Sequence, residues 1–195
     1  MMPIKLAVLI SGSGTTLQNL IDKIDSGKLE GTIELVISSR AGVVGLDRAR
    51  RAGIPAVEVI RKGLTTQEFG QRIFNKLRSI EVDLVCLAGF LEFLPIPDDF
   101  AMRVINIHPS LIPAFSGKGY YGRHVHEAAL KAGVKVSGCT VHFADNEFDH
   151  GPIILQRVVP VHEHDTPETL AARVFEAECT ALPEAIQLIA SKMHK

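Results

Sequence analysis

The sequence predicts an α/β fold: an open, mostly parallel sheet with helices on both faces and an antiparallel strand pair near the C-terminus. Three observations predict it. Short runs rich in Val, Ile and Leu alternate with segments whose apolar residues recur at helical spacing. A small-residue loop, SGSG at Ser11 to Gly14, separates the first such run from the first such segment. After residue 133 the alternation gives way to two longer apolar runs with the turn-like DNEFDHGP between them. Continuous apolar strands separated by helices require a parallel sheet covered on both sides, the Rossmann-like arrangement.

The elements follow in order. Ile4 to Ile10, Ile33 to Ile37, Ala56 to Ile60, Leu84 to Ala88 and Val104 to Ile107 are the short apolar runs. Between them TLQNLIDKI, GLDRARRAG and TTQEFGQRIFNKLRSI have helical spacing, with Phe69, Ile73, Leu77 and Ile80 marking one face of the third. KVSGCTVHF and IILQRVVPV are the antiparallel pair. A helix is expected from about Pro167 to His194, capped by Thr166 with Pro167 at its first position, and Pro183 should kink or interrupt it.

The 195 residues fit one domain, 1–195, with no repeat, low-complexity tract or linker. A formal net charge of −1 and the lack of any basic stripe argue against a nucleic-acid partner. LAVLI near the N-terminus is too short for a membrane span or signal peptide, so no membrane partner is expected. Cys86, Cys139 and Cys179 are widely spaced with no CxxC pair, which reads as reduced, buried thiols in a cytoplasmic protein.

The loop in ISGSGTTLQNL can aim backbone amides, together with a helix N-terminus, at a phosphate. A full dinucleotide fingerprint needs a third glycine, and Leu17 stands there; the acidic residue expected after the second strand is replaced by SSR. Arg40 would suit an NADP phosphate, so a dehydrogenase stays open on this loop alone, as does a tight turn without ligand. A single phosphate group fits best.

Asn106 and His108 are i and i+2 at a strand end, so their side chains share one face while Ile105 and Ile107 take the other. Pro109 keeps His108 extended and ends the strand. Ligand crevices of open α/β sheets lie at such carboxyl ends. An amide donor suits an oxyanion on a tetrahedral carbon, and an imidazole exchanges protons near neutrality. Asp149, in a loop shaped by Gly151 and Pro152, is the candidate third group. Each has a plainer reading, a satisfied strand-end histidine or a turn-forming aspartate. His124, His126, His162 and His164 lack the companions of a zinc site, so no metal is expected; His142 either reaches the cleft or satisfies a buried carbonyl.

ISGSGTTLQNL, LAGFLEFL, INIHPSLIPAF and FDHGPIILQ, in this order and spacing, resemble glycinamide ribonucleotide transformylase, the folate-dependent phosphoribosylglycinamide formyltransferase family of purine synthesis. The resemblance covers essentially the whole chain and implies the formyltransferase fold, with a ribonucleotide-binding N-terminal half, a folate-binding C-terminal half and a cleft between. It implies transfer of a formyl group from 10-formyltetrahydrofolate, as co-substrate, to the glycinamide amine. Asn106 and His108 would stabilise the tetrahedral intermediate and manage its protons. Asp149 would keep the imidazole charged and organise a water. Gly14, Thr15 and Thr16 would cradle the phosphate, Glu178 would bind the ribose hydroxyls, and Phe175, Glu176 and Ala177 would line that pocket. The pterin would lie along Leu91, Glu92, Phe93 and Leu94 and along Asp145, Asn146, Glu147, Phe148 and Asp149. Partners are then small molecules, with monomer and homodimer both open.

Three positions depart from the family pattern: Thr16 stands for a common Asn, Glu92 for an Arg beside the pterin, and Thr66 for an Arg near the cofactor. The rival hydrolase, formyltetrahydrofolate deformylase, reads NIHHSFLPAF and carries an extra N-terminal domain, whereas Pro109 follows His108 here. Methionyl-tRNA formyltransferase needs a further C-terminal domain. A non-catalytic nucleotide-binding module would leave Asn106, His108 and Asp149 without a shared purpose.

Overall fold

In the computed structural model, which describes residues 3–193, seven strands form one sheet. β1 (Ile4–Ile10), α1 (Thr15–Asp25), β2 (Gly31–Ser38), α2 (Val44–Arg51), β3 (Ala56–Glu58), α3 (Thr66–Arg78), β4 (Leu84–Leu87) and β5 (Val104–His108) alternate as expected. α4 (Arg123–Ala132), β6 (Val136–Phe143), β7 (Ile153–Pro160) and α5 (Pro167–Met193) follow. The strand order is β3-β2-β1-β4-β5-β6-β7, with β1 to β5 parallel and β6 antiparallel to both β5 and β7.

Alternation along each strand feeds two cores. Leu6, Val8 and Ile10 pack with Leu17 and Leu20 of α1, Leu46 of α2 and Leu170, Val174 and Leu182 of α5. Ala7 and Leu9 face Phe69, Ile73, Phe74 and Leu77 of α3. Burying each large aliphatic or aromatic side chain contributes about 1.5–3 kcal/mol. α3 starts at a reciprocal cap between Thr65 and Glu68 and ends at Arg78, leaving Ile80 half-buried beyond it.

Three expectations need correction. α4 was not anticipated: its buried face is Val125, His126 and Ala129, and a histidine on that face weakens the apolar periodicity. β3 stops at Glu58, opposite the last residue of β2, instead of reaching Ile60. Pro183 does not interrupt α5, which runs continuously to Met193. The Cys179 carbonyl that Pro183 cannot pair accepts instead from Asn19 Nδ2 of α1 at 3.1 Å, so the helix continues without an orphaned acceptor. Thr166 does cap α5, its Oγ1 accepting from Thr169 N at 3.3 Å, while the expected end at His194 lies outside the described residues.

Strand order reverses between β1 and β4, which opens a crevice at their carboxyl ends. Two glycines shape its walls. Gly14 has φ 68°, and a Cβ there would lie 2.7 Å from Gly45 Cα, so the loop before α1 can sit directly against α2. A Cβ on Gly151 would fall on the Phe143 carbonyl oxygen, which lets the loop after Asp149 lie flat on β6.

Candidate active site

Asn106 and His108 come off the same face of β5, while Ile105 and Ile107 join the core under α1 and α5. His142 is directly opposite Asn106 in the β5–β6 register. Its Nδ1 lies 2.9 Å from the Phe143 carbonyl oxygen and so carries the proton. Nε2 is then an acceptor in the neutral ring and receives a hydrogen from Asn106 Nδ2 at 3.2 Å. Burial lowers the His142 pKa, consistent with that neutral form. The second hydrogen on Asn106 Nδ2 points to Asp149 Oδ1 at 3.3 Å.

His108 is 3% exposed, more enclosed than a cleft-facing strand end suggests. Nε2 donates to the Phe115 carbonyl at 2.9 Å, which leaves Nδ1 facing Asp149 Oδ2 at 3.4 Å. Asp149 therefore meets both side chains through long contacts, while Gly117 N donates to its Oδ2 at 2.9 Å. Asp149 and Phe115 both have positive φ, 51° and 52°. Two non-glycine residues in that region beside the same pair of side chains mark backbone held in place by its surroundings.

These groups lie in a cleft of about 650 Å³, within the range of small-molecule sites. One arm is lined by Leu91, Glu92, Phe93 and Leu94 on one side and Asp145, Glu147, Phe148 and Asp149 on the other. Phe93 and Phe148 meet across it with ring centroids 4.9 Å apart. Asn146 does not line the cleft: its amide clamps Ile96, accepting from its N at 2.8 Å and donating to its O at 3.1 Å. That clamp ties the two walls together.

The other arm is bordered by Thr16, Phe175 and Glu178. The first bond of the α1 ladder runs from Gln18 N to Gly14 O, so the amides of Thr15, Thr16 and Leu17 precede it at the positive end of the helix. Gly14 and Thr15 form this helix start without lining the cleft themselves. Glu176 is exposed and Ala177 packs against the core, so neither borders the cleft; the face of α5 turned to it carries Pro167, Glu168, Ala171, Phe175 and Glu178. Burial pushes the Glu178 carboxyl up to about 7. Ser11 links the arms: its Oγ accepts from Leu91 N at 2.9 Å and shares a 2.6 Å bond with Ser39 Oγ.

Sequence reasoning left His142 undecided and missed Tyr120, Tyr121 and Ser11. The tyrosines line the cleft mouth from the loop between β5 and α4. The β5–β6 pairing was the available signal for His142, since an antiparallel register places some β6 residue opposite Asn106. Cys86 and Cys139 are buried, and that burial pushes their thiols up to about 12, which disfavours a thiolate nucleophile at either. Among the described residues no group of three or more His, Cys, Asp or Glu is arranged to hold a metal, and no helix is long and apolar enough to cross a membrane.

Asn106 and His108 from the end of β5 and Asp149 from the loop between β6 and β7 thus meet between two walls of one cleft, at the carboxyl edge of an open α/β sheet. The sequence matches the formyl transferase family over residues 4–186, and the chain belongs to that family. It is 46% identical over 191 residues to the trifunctional purine biosynthetic protein adenosine-3 of Gallus gallus, covering 96% of this chain and 18% of that protein. It is 37% identical over 196 residues to the chloroplastic phosphoribosylglycinamide formyltransferase of Arabidopsis thaliana, covering 98% of this chain and 67% of that one. The crystal structure of glycinamide ribonucleotide transformylase 1 from Symbiobacterium toebii superposes with a TM-score of 0.91 at 44% identity, over 98% of this chain and 89% of that one. The chain thus spans under a fifth of the trifunctional relatives it matches.

Proposed function

We propose that this chain is a phosphoribosylglycinamide formyltransferase, moving the formyl group of 10-formyltetrahydrofolate to the amine of 5-phosphoribosylglycinamide. The observation that carries the reading is the meeting of Asn106, His108 and Asp149 where the two arms of the cleft join. The amine lone pair attacks the formyl carbon and the carbonyl oxygen becomes an oxyanion. Collapse breaks the bond to N10 of the folate, which takes up a proton as the amine loses one.

Asn106 and His108 hold Asp149 only through the 3.3 and 3.4 Å contacts, and contacts that long are readily exchanged for bonds to a substrate. The oxyanion takes the Asn106 hydrogen now directed at Asp149, while His142 keeps the other and fixes the amide plane. Protonated His108 donates through Nδ1, with Asp149 stabilising the imidazolium and ordering a water. The aromatic arm of Leu91 to Leu94 and Asp145 to Asp149 takes the pterin. The start of α1 at Gly14, Thr15 and Thr16 takes the phosphate, and Glu178 accepts from the ribose hydroxyls. Each arm draws on both halves of the chain. Unpaired buried thiols at Cys86 and Cys139 support a reducing compartment, the cytoplasm in this reading.

Glu178 gives the direct test. Glu178→Ala should raise the ribonucleotide KM about 10-fold or more, the scale of a lost hydrogen bond to a charged group, while the folate KM stays put. Steady-state kinetics in both substrates measure it, and an unchanged ribonucleotide KM rejects the assignment. A pH effect follows as well. The folded pKa, about 7, lies above the reference 4.5, so this carboxyl favours the fold fully below about 4.5 and loses that contribution as pH rises through 7. Glu178→Gln should therefore gain thermal stability over the parent at pH 8 but not at pH 4.5.

A further inference from the structure

A third imidazole borders the cleft, without a part in the chemistry above. His126, in the first turn of α4, is 4% exposed and lines the cavity. Its Nδ1 is one of two buried side-chain polar atoms among the described residues with no hydrogen-bond partner, the other being Ser137 Oγ. Buried polar groups are normally paired, and each exception in a native fold needs a reason. Packing alone supplies none, because Val125 and Ala129 show that apolar side chains fill the neighbouring buried positions of α4.

The position of His126 indicates the reason. α4 packs on α5, which carries Phe175 and Glu178, and His126 lines the same cleft as His108. Its ring thus borders the stretch between the proposed ribose site and the reacting centre. On the formyl-transfer reading, the glycinamide unit must cross that stretch to carry its amine from the sugar to the formyl carbon. A secondary amide offers one N–H and one carbonyl oxygen, so Nε2, the ring nitrogen left open to the cavity while Nδ1 is sealed from it, finds a match in either tautomer. Burial lowers the His126 pKa and favours the neutral ring.

We propose that His126 is a further substrate-binding residue, hydrogen-bonding the glycinamide unit of the acceptor so that its amine is aligned on the formyl carbon. This inference rests on the formyl-transfer reading, and the test separates the two. His126→Phe keeps the ring and removes both nitrogens; His126→Gln restores one amide with donor and acceptor. The Phe variant should lose about 10-fold or more in kcat/KM for glycinamide ribonucleotide with the 10-formyltetrahydrofolate KM unchanged, and the Gln variant should recover part of the loss. In the parent, ring-nitrogen NMR resonances of His126 should shift when the ribonucleotide is added alone. A Phe variant within about twofold of the parent overturns the proposal, as does equal impairment toward both substrates with an unmoved His126 resonance. A parent that fails to transfer formyl groups at all contradicts the formyl-transfer reading instead, and the ribonucleotide-induced shift then judges His126 on its own.

Discussion

Replacing His108 with alanine is expected to lower kcat by about 10²-fold or more, the usual scale for a positioned acid–base group. The side chain is 3% exposed and donates to the Phe115 carbonyl, which would keep only the longer 3.3 Å bond from Ser110 Oγ, so the variant should also lose about 1 kcal/mol of stability. His108→Gln separates the two effects. Its amide can still donate to Phe115 but cannot exchange a proton near neutrality, so stability should return while turnover stays low. Near-parental turnover from either folded variant would remove His108 from the chemistry.

Asp149→Asn should lower kcat on a similar scale of about 10²-fold while preserving the loop. The remaining amide oxygen can still accept from Gly117 N, while the new NH2 takes the place of Oδ1 and no longer accepts from Asn106. Losing an opposite charge 3.4 Å from Nδ1 leaves the imidazolium without the partner that stabilises it. The His142 pKa should fall, since Asp149 Oδ1 lies 3.9 Å from its Nε2 and favours the charged form of that ring. NMR titration of His142 measures this. A His142 pKa that stays in place breaks the proposed coupling to Asp149.

The sheet was legible because its strands signal themselves locally. Ile4 to Ile10 sits between two cores and is apolar on both faces, and Phe69, Ile73 and Leu77 repeat at helical spacing. Asn106 and His108 were legible for the same reason, since a two-residue period and Pro109 fix where a strand end aims. What escaped notice depends on contacts across the fold. The place of His142 is set by the β5–β6 register, and Asn146 is turned to Ile96, fifty residues away in the chain. Pro183 reads as a helix breaker, because nothing local shows that Asn19, 160 residues before Cys179, donates to the Cys179 carbonyl in its place. α4 was lost because His126 occupies a core position for which an apolar residue is the local signal.

The central claim is transfer between two substrates, and the trio of Asn106, His108 and Asp149 cannot establish it, because water in place of an amine would meet the same groups. The second-substrate arm, from the start of α1 to Glu178, is what distinguishes transfer from hydrolysis: it holds the amine near the formyl carbon, where proximity supplies much of the rate. The decisive measurement is the consumption of 10-formyltetrahydrofolate by the purified protein with and without glycinamide ribonucleotide. Slow loss alone and a large acceleration on adding the ribonucleotide, with formylglycinamide ribonucleotide formed in equal amount, is the expected result. Rapid loss without the ribonucleotide and no stimulation by it would contradict the account and identify a hydrolase.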